Sequence, residues 1–307
     1  MGHPRLPRFK RSDSIGHLSL TERDLEILRH VRRHRFLTSV HITSLVAGSA
    51  QQILRRLQLM YHHGLLERPT VQLDYYHHGG PRPMVYGLGN KGADLLNAEG
   101  ASRYPEARSI EATSAVRRVY LEHALLVSDI MVAIGLACRE SGQIRLIAGY
   151  DLPLPPETAA TFPIFRWSAK AADGQSIGLM PDQAFALKLE DPLRTEPILF
   201  FLEADRGTMP VTRGGLSQTS FYRKLLAYEA TWSQDIHTKR FGFERLRVLT
   251  VAPNAERLKS LMEACSKLER GQGLFLFTDR ASILTPDAVF SRIWHSTRHE
   301  ESVSILD

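Results

Sequence analysis

A helical pattern of apolar and polar positions runs through residues 49–68, in the N-terminal third of the chain. Apolar residues recur there at helical spacing, at Ile53, Leu54, Leu57 and Met60. Ser49 stands where an N-cap residue is expected, and Gly64 stands where a helix commonly ends. The pattern predicts a helix that starts after Ser49 and stops at Gly64.

Polar residues occupy the opposite side of this predicted helix: Gln51, Gln52, Arg55 and Arg56. Glutamine can pair with the edge of adenine, and arginine can pair with the edge of guanine or with phosphate. These side chains predict the recognition helix of a helix-turn-helix domain. The alternative is a surface helix whose polar face is solvated.

Helical patterns also precede this stretch. Residues 18–33 predict a first helix, with Thr21 as its N-cap and Asp24 in the position of a capping box. Residues 38–46 predict a short second helix. The predicted recognition helix is then the third in succession.

A hairpin follows the three predicted helices. Residues 65–88 alternate in polarity around a glycine- and proline-rich turn, and residues 90–99 predict a closing helix. Three helices, a hairpin and a further helix predict a winged helix-turn-helix domain over residues 18–100. We expect Arg68 and Arg82, in the wing, to lie near the DNA backbone or the minor groove.

Positive charge is concentrated in the same part of the chain. Residues 1–68 carry twelve Lys or Arg residues against five Asp or Glu, whereas the whole chain of 307 residues has a net charge of +6. This excess suits a polyanionic partner such as double-stranded DNA. Residues 1–17 are basic and lack periodicity, which predicts a disordered arm.

Cysteine use and hydropathy bear on the compartment. Cys138 and Cys265 lie in apolar helical patterns that are typical of buried, reduced thiols, which favours the cytoplasm. We find no apolar run that approaches the length of a membrane span and no apolar core of a secretion signal. The sequence therefore predicts a cytoplasmic protein without a membrane partner.

The C-terminal two thirds of the chain alternate between predicted helices and strands. A polar linker at 101–112 precedes a domain over residues 113–295, and residues 296–307 are expected to form a tail. The predicted helices are 114–141, 220–233 and 254–270, and the predicted strands are 144–152, 181–189, 198–203, 247–252 and 274–278. Residues 153–178 are predicted to be irregular. This order predicts an α/β fold with a mixed central sheet.

Six motifs follow one another in an order that is similar to that of a known family. They are LTERDLEILRHVRRHRFLTSVHITSL, QQILRRLQLMYHHGLLER, MVYGLGNKGADLL, HALLVSDI, MPDQAF and FFLEADRGT, with a following Lys and Tyr. Through them the chain resembles the replication-relaxation family from about Leu18 to Phe277. The resemblance implies a protein of a plasmid or other mobile element, linked to plasmid replication or to relaxation of supercoiled DNA.

Two carboxylates stand at strand ends of the predicted α/β domain. Asp182 begins one predicted strand and Glu203 ends the next, so adjacent antiparallel strands would bring both to one edge of the sheet. Paired carboxylates can hold Mg²⁺ beside a scissile phosphate. Lys224, on the following helix, would supply positive charge to phosphate oxygens, and Glu122 would add a ligand or a hydrogen bond. The alternative is that these groups simply face water.

This arrangement resembles the PD-(D/E)xK nuclease superfamily. The resemblance assigns the first acid of the motif to Asp182 and the second acid to Glu203. Asp205 stands where the motif lysine is expected, and Lys224 would replace that lysine, as in members that carry it on the following helix. Asp205 is then either a further metal ligand or one half of a structural pair with Arg206.

Three functional hypotheses follow from the sequence. The first is a DNA-binding protein of a plasmid or mobile element, monomeric or homodimeric, that grips duplex DNA through the winged helix. The second is a Mg²⁺-dependent endonuclease or nickase that uses Asp182, Glu203 and Lys224. The third is a docking module for a relaxase or a replication initiator. The sequence contains no P-loop and no nucleophile elbow, so it does not indicate ATP-driven work or serine-hydrolase chemistry.

Overall fold

The computed structural model describes residues 7–12, 17–73, 82–98, 117–191, 196–213, 218–285 and 287–307. The chain divides into two compact units, Met1–Val132 and Ala133–Asp307. The predicted linker at 101–112 and most of the predicted hairpin turn lie outside the described residues.

The first unit alternates between helices and short strands. Its elements are α1 (Glu22–His34), β1 (Phe36–Thr38), α2 (Ser39–Leu45), α3 (Ala50–His62), β2 (Leu66–Glu67), β3 (Val85–Leu88), α4 (Asn90–Ala98) and the beginning of α5 (Arg118–Ser141). Helices α1 and α3 begin where the sequence predicts. At the start of α1 the Thr21 N–H donates to Asp24 Oδ2 at 2.8 Å, and Ser49 is the N-cap of α3. Gly64 has a φ of +81° just beyond α3, a left-handed conformation that glycine adopts without strain.

A three-stranded antiparallel sheet accompanies these helices, with β3 between β1 and β2. Gln72 holds the start of β3, because its amide donates to the Val85 carbonyl at 3.1 Å and accepts from the Val85 N–H at 2.8 Å. Fully buried side chains from the first three helices and β1 form the core of the unit: Ile27, Leu28, Val31, Leu37, Ile42, Ile53, Leu57 and Met60. Three of the four apolar positions predicted for α3, Ile53, Leu57 and Met60, therefore pack into the core, whereas the fourth, Leu54, is exposed, which corrects that part of the prediction.

The second unit is built around a five-stranded sheet. Its elements after α5 are β4 (Ile144–Ala148), α6 (Pro156–Ala159), β5 (Trp167–Lys170), β6 (Ser176–Leu179), β7 (Gln183–Leu189), β8 (Ile198–Ala204), α7 (Phe221–Ser233), α8 (Ile236–Phe241), β9 (Arg245–Ala252), α9 (Ala255–Cys265), β10 (Phe275–Asp279) and α10 (Arg280–Ile283). The sheet has the order β10-β9-β8-β7-β4. Strands β8, β9 and β10 are mutually parallel, whereas β7 pairs antiparallel with both β8 and β4. The predicted α/β fold with a mixed central sheet is confirmed.

Strand β8 is the middle strand of this sheet, and all seven of its residues are buried. Its continuous apolar run is typical of a strand that is covered on both faces. Leu225 and Tyr228 of α7 belong to the same hydrophobic core as Phe201 of β8. Because β7 runs antiparallel to β8, the residue before β7 and the end of β8 meet at one edge of the sheet.

The prediction that residues 153–178 are irregular is wrong for much of that segment. It contains the short helix α6 and the strand β5, which pairs antiparallel with β6 as a two-stranded ribbon. Trp167 is only 7% exposed, and its indole N–H donates to Thr231 Oγ1 at 2.9 Å. The indole also contacts the rings of Phe201 and Phe241 at centroid distances of 5.0 and 5.1 Å. The segment is thus a part of the core.

The predicted tail at residues 296–307 is also folded. Trp294 forms a β-bridge with Val303, and Ile305 is 1% exposed. A second bridge joins His295 to Phe277 of β10, so this segment covers the outer strand of the sheet. Helix α9, in contrast, ends at Cys265 and is shorter than the predicted helix 254–270.

Helix α5 differs from the sequence expectation about membranes. Its 24 residues are long and apolar enough to cross a membrane, by length and composition alone, which corrects the expectation that no apolar run approaches that length. Half of its apolar window is buried inside the protein. A core helix passes the same test of length and composition.

Candidate functional sites

Helix α3 presents one exposed side and one buried side. Ile53, Leu57 and Met60 are fully buried. The exposed residues at its beginning are Ala50, Gln51, Gln52, Leu54 and Arg55. Three of the four predicted DNA-contacting residues of this helix, Gln51, Gln52 and Arg55, therefore reach the surface.

Arg56, the fourth predicted residue, is turned towards the protein. Its Nε donates to Asp24 Oδ1 at 2.9 Å, its Nη2 also contacts Asp24 Oδ2, and Nη2 donates to the Ser19 carbonyl at 2.8 Å. Burial favours the neutral acid at Asp24, but hydrogen bonds from Arg56 and Thr21 outweigh it and lower the pKa of this carboxyl. Arg56 therefore stabilises a buried carboxylate, which corrects the prediction that it shares the exposed polar face.

Arg68 is likewise buried, with only 5% of its surface exposed. Its guanidinium lies over the ring of Tyr61 at 4.2 Å and over that of Tyr86 at 5.2 Å. It donates to the Tyr86 hydroxyl at 3.1 Å and to the Arg8 carbonyl at 2.6 Å. A planar guanidinium suits such a stacked position, and the predicted contact of Arg68 with DNA is not supported by this placement. Arg82, which the sequence places in the predicted wing, is exposed.

Part of the predicted disordered arm is docked on the first unit. Arg11 Nε donates to the Tyr61 carbonyl at 3.1 Å, and Arg11 Nη2 contacts Glu67 Oε2 at 2.5 Å. The Ser12 N–H donates to His62 Nδ1 at 3.2 Å. Residues 7–12 thus pack against the end of α3 and β2, whereas residues 1–6 and 13–16 lie outside the described part of the chain.

The second candidate site lies where β7 and β8 meet. The strand register pairs Gln183 with Leu202 and so places Asp182 beside Glu203. The Asp182 N–H donates to the Leu202 carbonyl at 3.0 Å, and Asp182 Oδ2 accepts from the Ala204 N–H at 2.8 Å. The two carboxylates that the sequence pairs are therefore neighbours at one edge of the sheet.

Glu203 is held from helix α7 by two donors. Lys224 Nζ donates to Glu203 Oε2 at 2.6 Å, and the Tyr228 hydroxyl donates to Glu203 Oε1 at 2.6 Å. The structure thus brings Asp182, Glu203 and Lys224 together as predicted. Tyr228 also belongs to this cluster, although no role was predicted for it from the sequence. Its signal is the i, i+4 spacing from Lys224, which puts both side chains on one face of α7.

Burial dominates the electrostatics of this cluster. It raises the pKa of Glu203 to about 7, and the Asp182 charge adds to that shift, whereas Lys224 opposes it. Burial alone would lower the pKa of Lys224, but the charge and hydrogen bond of Glu203 prevail, so the pKa of Lys224 rises. Burial, followed by the Glu203 charge, raises the pKa of Tyr228 well above its ordinary value. Lys224 and Tyr228 therefore stay protonated at neutral pH and act as hydrogen-bond donors to Glu203.

Asp205, which stands at the lysine position of the nuclease motif, belongs to a structural pair. Arg257 Nε donates to Asp205 Oδ2 at 2.6 Å, and Arg257 Nη2 donates to Oδ1 at 3.4 Å. Nη2 also donates to the Met209 carbonyl at 2.6 Å, which ties the loop after β8 to the first turn of α9. The partner of Asp205 in this pair is Arg257 and not Arg206, which the sequence suggested as that partner.

The predicted Mg²⁺ ligands do not fit the ion as these side chains are arranged. Both oxygens of Glu203 accept hydrogen bonds from protonated groups, and both oxygens of Asp205 face Arg257. Within the described ranges, no group of three or more His, Cys, Asp or Glu residues is placed to hold a metal. A Mg²⁺ site needs several oxygen ligands that point at one position. Glu122 belongs to the first unit, where it accepts from Arg118 Nε at 2.9 Å.

Comparison with known protein families gives a match. A sequence model of the family described as replication-relaxation matches residues 28–246, which is well over half of the chain. Neither the curated proteins nor the solved structures contain a significant match.

Proposed function

The chain belongs to the replication-relaxation family, and on that premise we propose that it acts by binding duplex DNA. Membership suggests a role in the replication or relaxation of plasmids or other mobile elements. The proposed binding element is the first unit, interpreted as a winged helix, with α3 entering the major groove. Double-stranded DNA is the proposed partner.

The exposed side of α3 is the observation that carries this proposal. It combines Gln51, Gln52 and Arg55 at the surface of a helix whose opposite side is fully buried. Amide and guanidinium groups are the side chains that most often pair with adenine and guanine edges in the major groove. The order of α1, α2 and α3, followed by the antiparallel strands β2 and β3, supports the interpretation as a winged helix.

Titration of the full chain against a fluorescently labelled duplex tests the proposal. We expect fluorescence anisotropy to report binding that weakens as salt rises, with a linear dependence of log affinity on log salt concentration. The variant Gln51→Ala/Arg55→Ala should bind more weakly at every salt concentration. An affinity that is the same for this variant and for the wild type, on all duplexes, would contradict the proposal.

Cleavage of DNA by the second unit is the second candidate function, because Asp182, Glu203 and Lys224 converge at one sheet edge. Their hydrogen bonds favour the alternative that this unit does not cleave, since both oxygens of Glu203 accept hydrogen bonds from Lys224 and Tyr228. The fold alone does not carry the activity. Supercoiled plasmid incubated with Mg²⁺ or Mn²⁺ should therefore stay intact with both the wild type and Asp182→Ala. Nicking by the wild type alone would instead assign cleavage to this cluster.

A further inference from the structure

The exposed face of α3 differs in composition from the polar face that the sequence predicts. Residues at positions i, i+3, i+4 and i+7 lie on one side of a helix, and in α3 these include Gln51, Leu54 and Arg55, which are exposed, and Gln58, which is half-buried. Leu54 is 46% exposed, although Ile53, Leu57 and Met60 of the same helix are fully buried. Arg56 leaves this face because it pairs with Asp24. An apolar side chain thus stands among three polar ones.

We propose that Leu54 is a specificity residue, which contacts the C5-methyl group of thymine in the major groove. The inference rests on the proposed DNA binding and adds the chemical class of the DNA site to it. Gln51 and Gln58 flank Leu54 and are placed to pair with adenine, so the face selects sites with A·T pairs opposite its centre. Arg55 supplies a contact with guanine or phosphate.

The chemistry of the groove supports this assignment. Thymine is the base that carries an apolar group at the floor of the major groove, and adenine presents N7 and N6–H₂ there. A glutamine amide can donate to N7 and accept from N6–H₂, while a neighbouring leucine covers the thymine methyl. Burial of the methyl group against Leu54 removes apolar surface of both partners from water.

Position distinguishes Leu54 from the other exposed apolar residues of the first unit. Single exposed apolar side chains are common on protein surfaces and need no function. Leu54, however, shares its helix face with Gln51, Arg55 and Gln58, which carry the groups that read base edges. The aliphatic side chain and the amides suit A·T pairs, and the guanidinium suits a neighbouring guanine or phosphate.

Replacement of thymine by deoxyuridine tests the contact, because it removes the methyl group and keeps the pairing edge. Duplexes that the wild type enriches from a random-sequence pool are synthesised with dT or with dU. We expect the wild type to bind the dU duplex more weakly, by about fourfold for each methyl group that Leu54 covers. Leu54→Ala should bind the dT duplex more weakly than the wild type and should lose most of the preference for dT over dU.

Arg55→Ala is the matched control, since it lies on the same face and carries no methyl contact in the proposal. It should weaken binding to both duplexes and keep the dT to dU ratio of the wild type. A wild type that binds dT and dU duplexes equally, or a Leu54→Ala variant that keeps the full dT preference, overturns this inference and leaves DNA binding intact. Binding to the pool without enrichment of any sequence overturns this inference and leaves DNA binding intact, whereas no binding to any duplex overturns the proposed function and this inference together.

Discussion

Arg56 of α3 donates a 2.9 Å hydrogen bond to the carboxylate of Asp24 in α1, whose side chain is fully buried. The pair connects the third helix of the first unit to the first turn of the first helix. Its neighbour Arg55 is exposed. Arg56 therefore stabilises the folded structure, whereas the adjacent Arg55 lies at the surface.

Substitution of Arg56 should destabilise the first unit. Arg56→Ala leaves the buried Asp24 carboxylate without its cationic partner, which costs about 2–3 kcal/mol of the free energy of unfolding. Arg55→Ala removes an exposed side chain and should change stability by less than about 0.5 kcal/mol. All three tryptophans, Trp167, Trp232 and Trp294, lie in the second unit. Urea unfolding followed by far-UV circular dichroism should thus show an earlier transition for Arg56→Ala, while the tryptophan fluorescence transition stays in place. Equal stability of the two variants would contradict the assigned role of Arg56.

Substitution of Arg55 should instead affect DNA binding. If Arg55 contacts a phosphate, Arg55→Ala lowers the slope of log affinity against log salt by about 0.9, because one fewer counterion is displaced. If it contacts guanine, the variant loses about 1–3 kcal/mol of discrimination at one base pair and the slope is kept. Fluorescence anisotropy at several salt concentrations separates the two results. Arg55→Lys, which retains the charge, is the control and should keep the salt slope. An unchanged affinity in Arg55→Ala would remove Arg55 from the interface.

Sequence periodicity predicts most of the fold because its signals are local. The apolar stripe of α3 and the continuous run of β8 each follow from the spacing of residues along one element. The convergence of Asp182 and Glu203 was also predictable, since two adjacent antiparallel strands necessarily bring the start of one beside the end of the other. Lys224 was predicted from its place on the helix that follows the two strands, and the resemblance to a nuclease superfamily then assigned it to the place of the motif lysine.

Contacts between distant elements could not be read from the sequence. The polar positions of α3 show which side avoids the core, but not that Arg56 on its flank meets Asp24, which is 32 residues away. The ribbon that contains Trp167 has strands of four residues in a Pro- and Ala-rich segment, so its alternation is too short to separate from an irregular loop. The contact of Tyr228 with Glu203 could not be predicted, because only the folded chain places the hydroxyl beside that carboxyl group.

The buried stack of Arg68 gives a third prediction. Its guanidinium covers the rings of Tyr61 and Tyr86, a planar contact that a lysine ammonium does not reproduce. Arg68→Lys should lower the free energy of unfolding of the first unit by about 1–2 kcal/mol despite the retained charge. Far-UV circular dichroism during urea unfolding measures the change. Arg82→Lys, at an exposed position of the same unit, is the control and should leave the transition unchanged. A stable Arg68→Lys variant would show that the stack contributes little.

Titration of Glu203, in the cluster with Asp182, Lys224 and Tyr228, should make the second unit less stable as the pH rises towards neutrality. The pKa of Glu203 is raised from 4.5 to about 7, so between these values the folded protein holds a proton that the unfolded chain releases. The free energy of unfolding contributed by this group is complete below pH 4.5 and is lost as the pH rises through about 7. Glu203→Gln is always neutral and should lack this dependence, while both proteins share the titration of all other groups. Urea unfolding followed by tryptophan fluorescence at pH 5 and pH 7.5 provides the comparison. A stability difference between wild type and Glu203→Gln that is the same at both pH values would show that Glu203 does not titrate in this range.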